Sequence, residues 1–168
     1  MQDESEENAT PEQRLQVMEE VREFLDETLD LMDLDVELHN RIEGEEVVFE
    51  FRGEDAGLAI GKKGATLDAL QLLAGRVASR FPGGHRVFIT LDAQGYRARR
   101  EKSLTQMAER LGEQAMRQGQ VITLDPLSAR DRRVVHMALS QFPGVTTRSE
   151  GDGMDRRLKI IPNPGSRQ

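Results

Sequence analysis

The four residues GKKG, Gly61 to Gly64, place two lysines side by side immediately before a segment whose apolar spacing is helical. The N-terminal end of a helix carries partial positive charge and disfavours cations, so Lys62 and Lys63 are poorly placed for helix stability. Glycine lets the backbone turn tightly and approach a ligand closely, and the free N–H groups of a helix start suit phosphates. The motif therefore predicts an exposed turn that meets an anion.

The pattern of apolar residues around GKKG predicts one order of elements: helix, strand, strand, short helix, GxxG turn, helix, strand. The first helix begins at TPEQ, where Thr10 can cap, Pro11 suits the first helical position and Gln13 completes a capping box. The remaining segments are predicted as strands at 35–43, 45–53 and 85–93, with a hairpin turn at Gly44, and as helices at 54–60 and 65–80.

Apolar residues that recur at three- or four-residue spacing are expected to face the core. In the first helix these are Leu15, Met18, Val21, Leu25, Leu29 and Met32, and in the helix after GKKG they are Leu67, Leu70, Leu73, Ala74 and Val77. Four residues are interpreted either as core or as the aliphatic wall of a groove: Leu58, Ile60, Leu67 and Leu70. With six Phe, one Tyr and no Trp, a platform of stacked aromatic side chains is not expected.

The predicted order, αββααβ with GxxG between the two middle helices, is that of a type II KH domain, a fold that binds single-stranded nucleic acid. In such domains the GxxG loop clamps about four nucleotides. A lysine-bearing surface turn is the simpler alternative for the four residues alone, and the flanking order of elements favours the KH interpretation. We therefore expect an α+β fold with a type II KH domain at 10–95, in which Gly61, Lys62, Lys63 and Gly64 bind RNA.

A second unit is predicted at 96–164, where a basic helix over about 97–118 leads into the segment RDRRVVH. The four-residue spacing of Arg132 and His136 puts both on one helical face, with Arg133 beside it. Arginine can grip a phosphate with two hydrogen bonds, and histidine can donate one or stack. Both Arg132 and His136 are expected to point to solvent. The pattern resembles the Arg-x-x-x-His signature of the R-three-H domain, a small α/β domain for single strands; a solvated helix face is the alternative.

Together, GKKGATLDALQLL, DAQGYRARREKSL and RDRRVVHMAL followed by TRSEGDG and RRLKIIP resemble the Jag (SpoIIIJ-associated) family of bacterial RNA-binding proteins, also called KhpB. The resemblance implies a non-enzymatic binder of single-stranded RNA, an RNA chaperone or post-transcriptional regulator linked to cell-wall growth and cell shape. It also implies a small KH-only protein as partner. The residues assigned to RNA are Gly61, Lys62, Lys63, Gly64, Arg97, Arg100, Arg132, Arg133 and His136.

The net charge of −7 hides an uneven distribution. Residues 1–60 carry 20 acidic and 4 basic side chains, whereas residues 61–110 carry 4 acidic and 10 basic ones. The local electrostatic potential, rather than the net charge, determines where a charged ligand binds. The acidic first helix also supports a second interpretation, a protein-interaction adaptor in which RNA binding is incidental. A metal-dependent nuclease is a third class, for which the acidic residues of 1–60 are the one hint.

Other features limit the function further. The chain has no cysteine, which excludes disulfides and thiolate chemistry and fits a reducing cytoplasm. The acidic segment 1–9 is predicted to be a disordered tail and not a signal peptide, and no apolar run reaches the length of a membrane span. The three histidines have no metal-ligand spacing. We expect a cytoplasmic protein with no catalytic residue, metal, cofactor or small-molecule substrate.

Overall fold

A computed structural model describes residues 9–84 and 87–163, with the side chain of Met154 left out. The chain divides into two compact units between Tyr96 and Arg97. Apart from Ala9, the predicted acidic tail lies outside the described residues. So do His85 and Arg86, with which the third predicted strand begins.

The first helix, α1, spans Pro11–Leu31 and begins with the predicted capping box. The Gln13 N–H donates to Thr10 Oγ1 at 3.2 Å, and the Thr10 N–H donates to Gln13 Oε1 at 2.8 Å. The buried side of the helix is formed by Val17, Val21, Leu25 and Leu29. Leu15 and Met32 are exposed, so their assignment to the core is wrong. Leu15 lies two residues before Val17 and therefore on the opposite side of the helix, and Met32 lies beyond the last helical residue.

The sheet of the first unit consists of β1 (Glu37–Glu43), β2 (Glu46–Arg52) and β3 (Phe88–Ala93), in the order β1-β2-β3. The β1–β2 pair is antiparallel, with its turn at Gly44 as predicted, and β3 runs parallel to β2. Val47, Phe49 and Phe51 of the central strand are completely buried. A parallel neighbour requires a crossover, and this crossover carries the GKKG segment.

The crossover contains a 3₁₀ helix at Glu54–Ile60, a short 3₁₀ turn at Lys62–Gly64 and α2 at Ala65–Ala78. The αββααβ order is confirmed, with the first of the two middle helices in 3₁₀ form. Helix α2 packs against β3 and α1 and buries Leu67, Leu70, Ala74 and Ala78. Leu73 is 49% exposed, so its assignment to the core is wrong. The helix ends two residues before the predicted position, ahead of the FPGG segment.

Helix α3 (Tyr96–Gln118) begins at the last residue of the first unit and continues into the second. The second unit also contains β4 (Ile122–Thr123), α4 (Ala129–Ser140), β5 (Val145–Glu150) and β6 (Arg157–Pro162). Its three strands are antiparallel in the order β4-β6-β5. Ser128 caps α4, since its Oγ accepts the Asp131 N–H at 3.1 Å. The short strand β4 was not predicted. Among the helices that the structure describes, none has the length and apolar character needed to cross a bilayer.

Candidate nucleic-acid interface

The GKKG turn has an unusual backbone. Gly61, Lys63 and Gly64 all have positive φ, at +69°, +56° and +86°. The Gly61 N–H ends the preceding 3₁₀ helix by donating to the Leu58 carbonyl at 3.1 Å, and the Gly64 N–H donates back to the Gly61 carbonyl at 3.3 Å. Lys62 and Lys63 are both exposed. The turn therefore projects two cations from a tightly folded backbone.

Both glycines are required by space as well as by φ. A Cβ added to Gly61 would lie 2.1 Å from Thr66 Oγ1 and 2.9 Å from the Thr66 backbone nitrogen. A Cβ added to Gly64 would lie 2.8 Å from Cε1 of Tyr96. The first glycine thus folds back onto the start of α2, and the second is covered by an aromatic ring.

Lys63 is the residue of the turn whose backbone conformation is energetically unfavourable. A side chain in the left-handed helical region costs roughly 1–2 kcal/mol, and such outliers cluster at binding sites, where the surrounding structure holds them in place. Here Lys63 lies between Gly61 and Gly64, both of which adopt positive φ without that cost.

Helix α2 begins directly after the turn, with Gly64 as its N-cap residue and no hydrogen bond from a capping side chain. The Ala65 N–H donates to the Lys62 carbonyl. The N–H groups after it in the first turn have no partner inside the helix, and they carry the positive end of the helix dipole. Two exposed lysines and an uncapped helix start therefore lie within five consecutive residues. This arrangement suits a phosphate or another oxyanion.

The predicted aliphatic wall is only partly available to a ligand. Leu58 is 64% exposed and Ile60 is half-buried, whereas Leu67 and Leu70 belong to the core. Leu72, which the sequence analysis did not single out, is exposed on α2 together with Leu73. Leucines on both sides of the GKKG turn in sequence therefore leave apolar surface exposed.

In the second unit, α4 presents Arg133 and His136 to solvent. His136 Nδ1 and Thr147 Oγ1 of β5 share a hydrogen bond of 2.5 Å, which orients the imidazole from the strand. Arg132 is half-buried, and its Nη1 donates to the Leu127 carbonyl at 2.7 Å. The expectation that Arg132 points freely to solvent is therefore wrong, because its guanidinium also closes the loop before α4.

Arg100, predicted to contact RNA, uses its guanidinium inside the unit. Its Nη2 and Nε donate to Asp131 Oδ2 at 2.8 and 3.2 Å, and the two side chains are 24% and 8% exposed. Among the described residues, Asp131 is the one charged side chain that is buried. The sequence pattern alone did not predict this ion pair. Arg97, in the first turn of α3, is half-buried.

Two cations on the sheets are paired with carboxylates. Lys159 of β6 hydrogen-bonds Glu150 of β5, which lowers the pKa of that carboxyl below its ordinary value of 4.5. Arg52 does the same to Glu50 on β2. In residues 9–84 and 87–163, no three His, Asp or Glu side chains are grouped so as to hold a metal ion.

Two family profiles match the chain: the KH domain of KhpA/KhpB over residues 18–90, and the R-three-H domain over residues 102–162. Several relatives carry the name RNA-binding protein KhpB. The protein from Clostridium symbiosum is 33% identical over 82% of this chain, that from Bacillus subtilis 36% over 68%, and that from Lactiplantibacillus plantarum 37% over 76%. The matches cover 63%, 55% and 38% of these relatives' own lengths. Both domain types predicted from the motifs are confirmed.

Proposed function

Because the chain belongs to the KhpB (Jag, SpoIIIJ-associated) family of proteins with a KH and an R-three-H domain, we propose that it binds single-stranded RNA. The observation that carries this proposal is the GKKG turn, where Lys62 and Lys63 are exposed at the uncapped start of α2. The name of the relatives, RNA-binding protein KhpB, supports RNA as the ligand.

The proposed mechanism is phosphate capture by backbone and lysine together. Gly61 and Gly64 have no side chain to keep a strand away from the main chain, so a phosphate can approach the N–H groups of α2. Lys62 and Lys63 neutralise neighbouring phosphates, and their mutual repulsion is offset when the anion arrives. A loop of this type holds about four nucleotides. The exposed Leu58 offers an apolar contact for a base beside the clamp.

We propose that the α4 face of the second unit supplies a further contact. Arg133 and His136 are its exposed members, and Thr147 orients the histidine. Arg132 contributes through the hydrogen-bond capacity that its bond to the Leu127 carbonyl leaves unused. Arg97 is retained as a contact at the start of α3, while Arg100 acts indirectly by joining α3 to α4 through Asp131.

At the level of the cell, family membership supports a non-enzymatic, cytoplasmic role as an RNA chaperone or post-transcriptional regulator linked to cell-wall growth and cell shape. The same membership supports a small KH-only protein as partner. These assignments rest on the resemblance of the motifs and on the relatives, of which the chain spans between 38% and 63%.

The direct test of the site is charge reversal with a matched control. Lys62→Asp/Lys63→Asp should weaken binding of a labelled single-stranded RNA at least tenfold, because charge-assisted hydrogen bonds contribute about 1.5–3 kcal/mol each. Arg76→Asp/Arg80→Asp changes two exposed cations of the same unit by the same charge and should have a much smaller effect. Fluorescence anisotropy gives both affinities, and circular dichroism confirms that each variant is folded.

Equal losses in the two double variants would show that only net charge matters and would remove the GKKG site from the proposal. If the wild-type chain binds no RNA at all, the adaptor interpretation with the acidic α1 as docking surface becomes the better account.

A further inference from the structure

The DAQGY segment, which runs from the end of β3 to the first residue of α3, has no role in the proposed function so far. Gln94 and Gly95 both have positive φ, at +52° and +71°, and form a sharp left-handed turn. Gln94 Nε2 donates to the Gly53 carbonyl at 3.1 Å, which ties this turn to the loop after β2. The next residue is Tyr96, the first residue of α3. The turn before it and the helix after it both restrict its direction.

The Tyr96 ring lies against the GKKG turn. It is half-buried, packs on the core of the first unit and occupies the space in which a side chain of residue 64 would lie. An added Cβ at Gly64 would be 2.8 Å from Cε1 and 3.2 Å from Oη of the tyrosine. Gly64 itself is buried and, as N-cap residue of α2, determines where the first N–H groups of that helix point.

We propose that Tyr96 is a positioning residue for the RNA site: its ring holds Gly64, and with it the GKKG turn, in the conformation that receives a phosphate. This inference rests on the proposed function. A turn with three left-handed residues, one of them a lysine, relaxes to other conformations unless its surroundings hold it. A site ordered before the ligand arrives does not lose binding free energy to ordering it.

The amino-acid composition of the chain allows the surroundings of Tyr96 to be followed by fluorescence. Tyr96 is the one tyrosine in the sequence, and there is no tryptophan. Tyrosine fluorescence of the full chain therefore reports on a single ring in contact with the turn. Occupancy of the GKKG turn by a single-stranded RNA should change this emission.

The first experiment compares Tyr96→Phe, Tyr96→Leu and Tyr96→Ala in the full chain. Tyr96→Phe keeps the ring and should bind RNA within about twofold of wild type, whereas Tyr96→Ala should lose about fivefold to tenfold through a less ordered turn. Tyr96→Leu keeps apolar bulk for the core, and its loss should lie between these two. NMR amide resonances of Lys63, Gly64 and Ala65 should shift in the alanine variant without RNA. Wild-type affinity in Tyr96→Ala, or unmoved resonances, would overturn the proposal.

A second experiment needs no RNA and thus separates this inference from the proposed function. Gly64→Ala should lower the melting temperature in the wild-type background, because the new Cβ meets the ring. In a Tyr96→Ala background the same change should lower it clearly less, because only the φ cost remains. Equal losses in both backgrounds would show that the ring does not confine Gly64, whatever the chain binds. If the wild type binds no RNA but the losses differ, the proposed function fails and the packing role stands.

Discussion

Lys63 is unfavourable for the fold, and the proposed RNA site gives a reason for its presence. Its φ of +56° is the sparsely populated conformation of a non-glycine residue, and it follows the cation Lys62 directly before the positive end of the α2 dipole. Neither feature stabilises the free protein. Both are explained if the turn is shaped for an anion, which is the usual reason that strain persists at a site.

Replacing each lysine of the turn by glycine separates the conformational cost of Lys63 from the cost of introducing a glycine. Lys63→Gly removes a left-handed side chain, worth roughly 1–2 kcal/mol, and adds an entropic cost of about 0.5–1 kcal/mol in the unfolded chain. The free energy of unfolding should therefore stay unchanged or rise by up to about 1.5 kcal/mol. Lys62 is not left-handed, so Lys62→Gly should lose about 0.5–1 kcal/mol. Urea unfolding measures both; equal losses would mean that Lys63 carries no conformational cost.

At the scale of elements, the ion pair of Arg100 and Asp131 joins α3 to α4. Asp131→Ala leaves a half-buried guanidinium without its partner and should destabilise the chain by about 2–3 kcal/mol, below the range for fully buried pairs because Arg100 is partly hydrated. Asp125→Ala removes an exposed carboxylate from the segment before α4 and should change stability by less than about 0.5 kcal/mol.

Thermal unfolding of the two variants is the measurement. Similar melting temperatures for Asp131→Ala and Asp125→Ala would contradict a structural role for the pair and would return Arg100 to the RNA contacts. Replacing both partners by apolar residues, Arg100→Met/Asp131→Leu, should recover much of the loss.

A Gly→Ala substitution should have opposite effects on stability at two positions, one in α2 and one in the segment after it. Gly75 lies within α2 and has open space around an added Cβ, so Gly75→Ala should stabilise by about 0.5–1 kcal/mol through helix propensity. An added Cβ at Gly84 would lie 1.8 Å from the Ala78 carbonyl oxygen, so Gly84→Ala should cost at least about 2 kcal/mol. Calorimetry of both variants checks the signs; a tolerated Gly84→Ala would show that the FPGG segment shifts easily.

The same elements show what sequence reasoning can and cannot reach. The capping box of Thr10 and Gln13 and the Gly44 turn are local patterns, and they were predicted because neighbouring residues decide them. The side that a helix buries depends on distant partners. Leu15 was therefore assigned to the core in place of Val17, and the exposure of Leu73 was missed.

The candidate site likewise has local features that the sequence predicted and distant contacts that it did not. GKKG could be found because glycine and lysine in that pattern carry a local meaning. The contacts of Tyr96 with Gly64 and of Arg100 with Asp131 join residues about 30 positions apart and leave no periodic signal. A lone tyrosine and a single aspartate in an arginine-rich segment were the only hints in the sequence.

For the whole molecule, the distribution of charge matters more than its sum. A chain with a net charge of −7 is expected to repel RNA at long range, so binding has to come from a few close phosphate contacts at basic positions. Such contacts release counterions, and the number released appears as the slope of log affinity against log salt. The slope therefore counts phosphate contacts without assuming any arrangement of the two units.

The central claim is that Lys62 and Lys63 contact the phosphates of a single-stranded RNA, and a salt titration tests it most directly. At about −0.7 per phosphate, a few contacts predict a slope of roughly −2 to −4 for the wild type. Lys62→Ala/Lys63→Ala should make this slope shallower by about 1.4, the value for two lost phosphate contacts. Arg76→Ala/Arg80→Ala should leave it unchanged. A double-lysine variant that keeps the wild-type slope would contradict the claim, whatever its affinity.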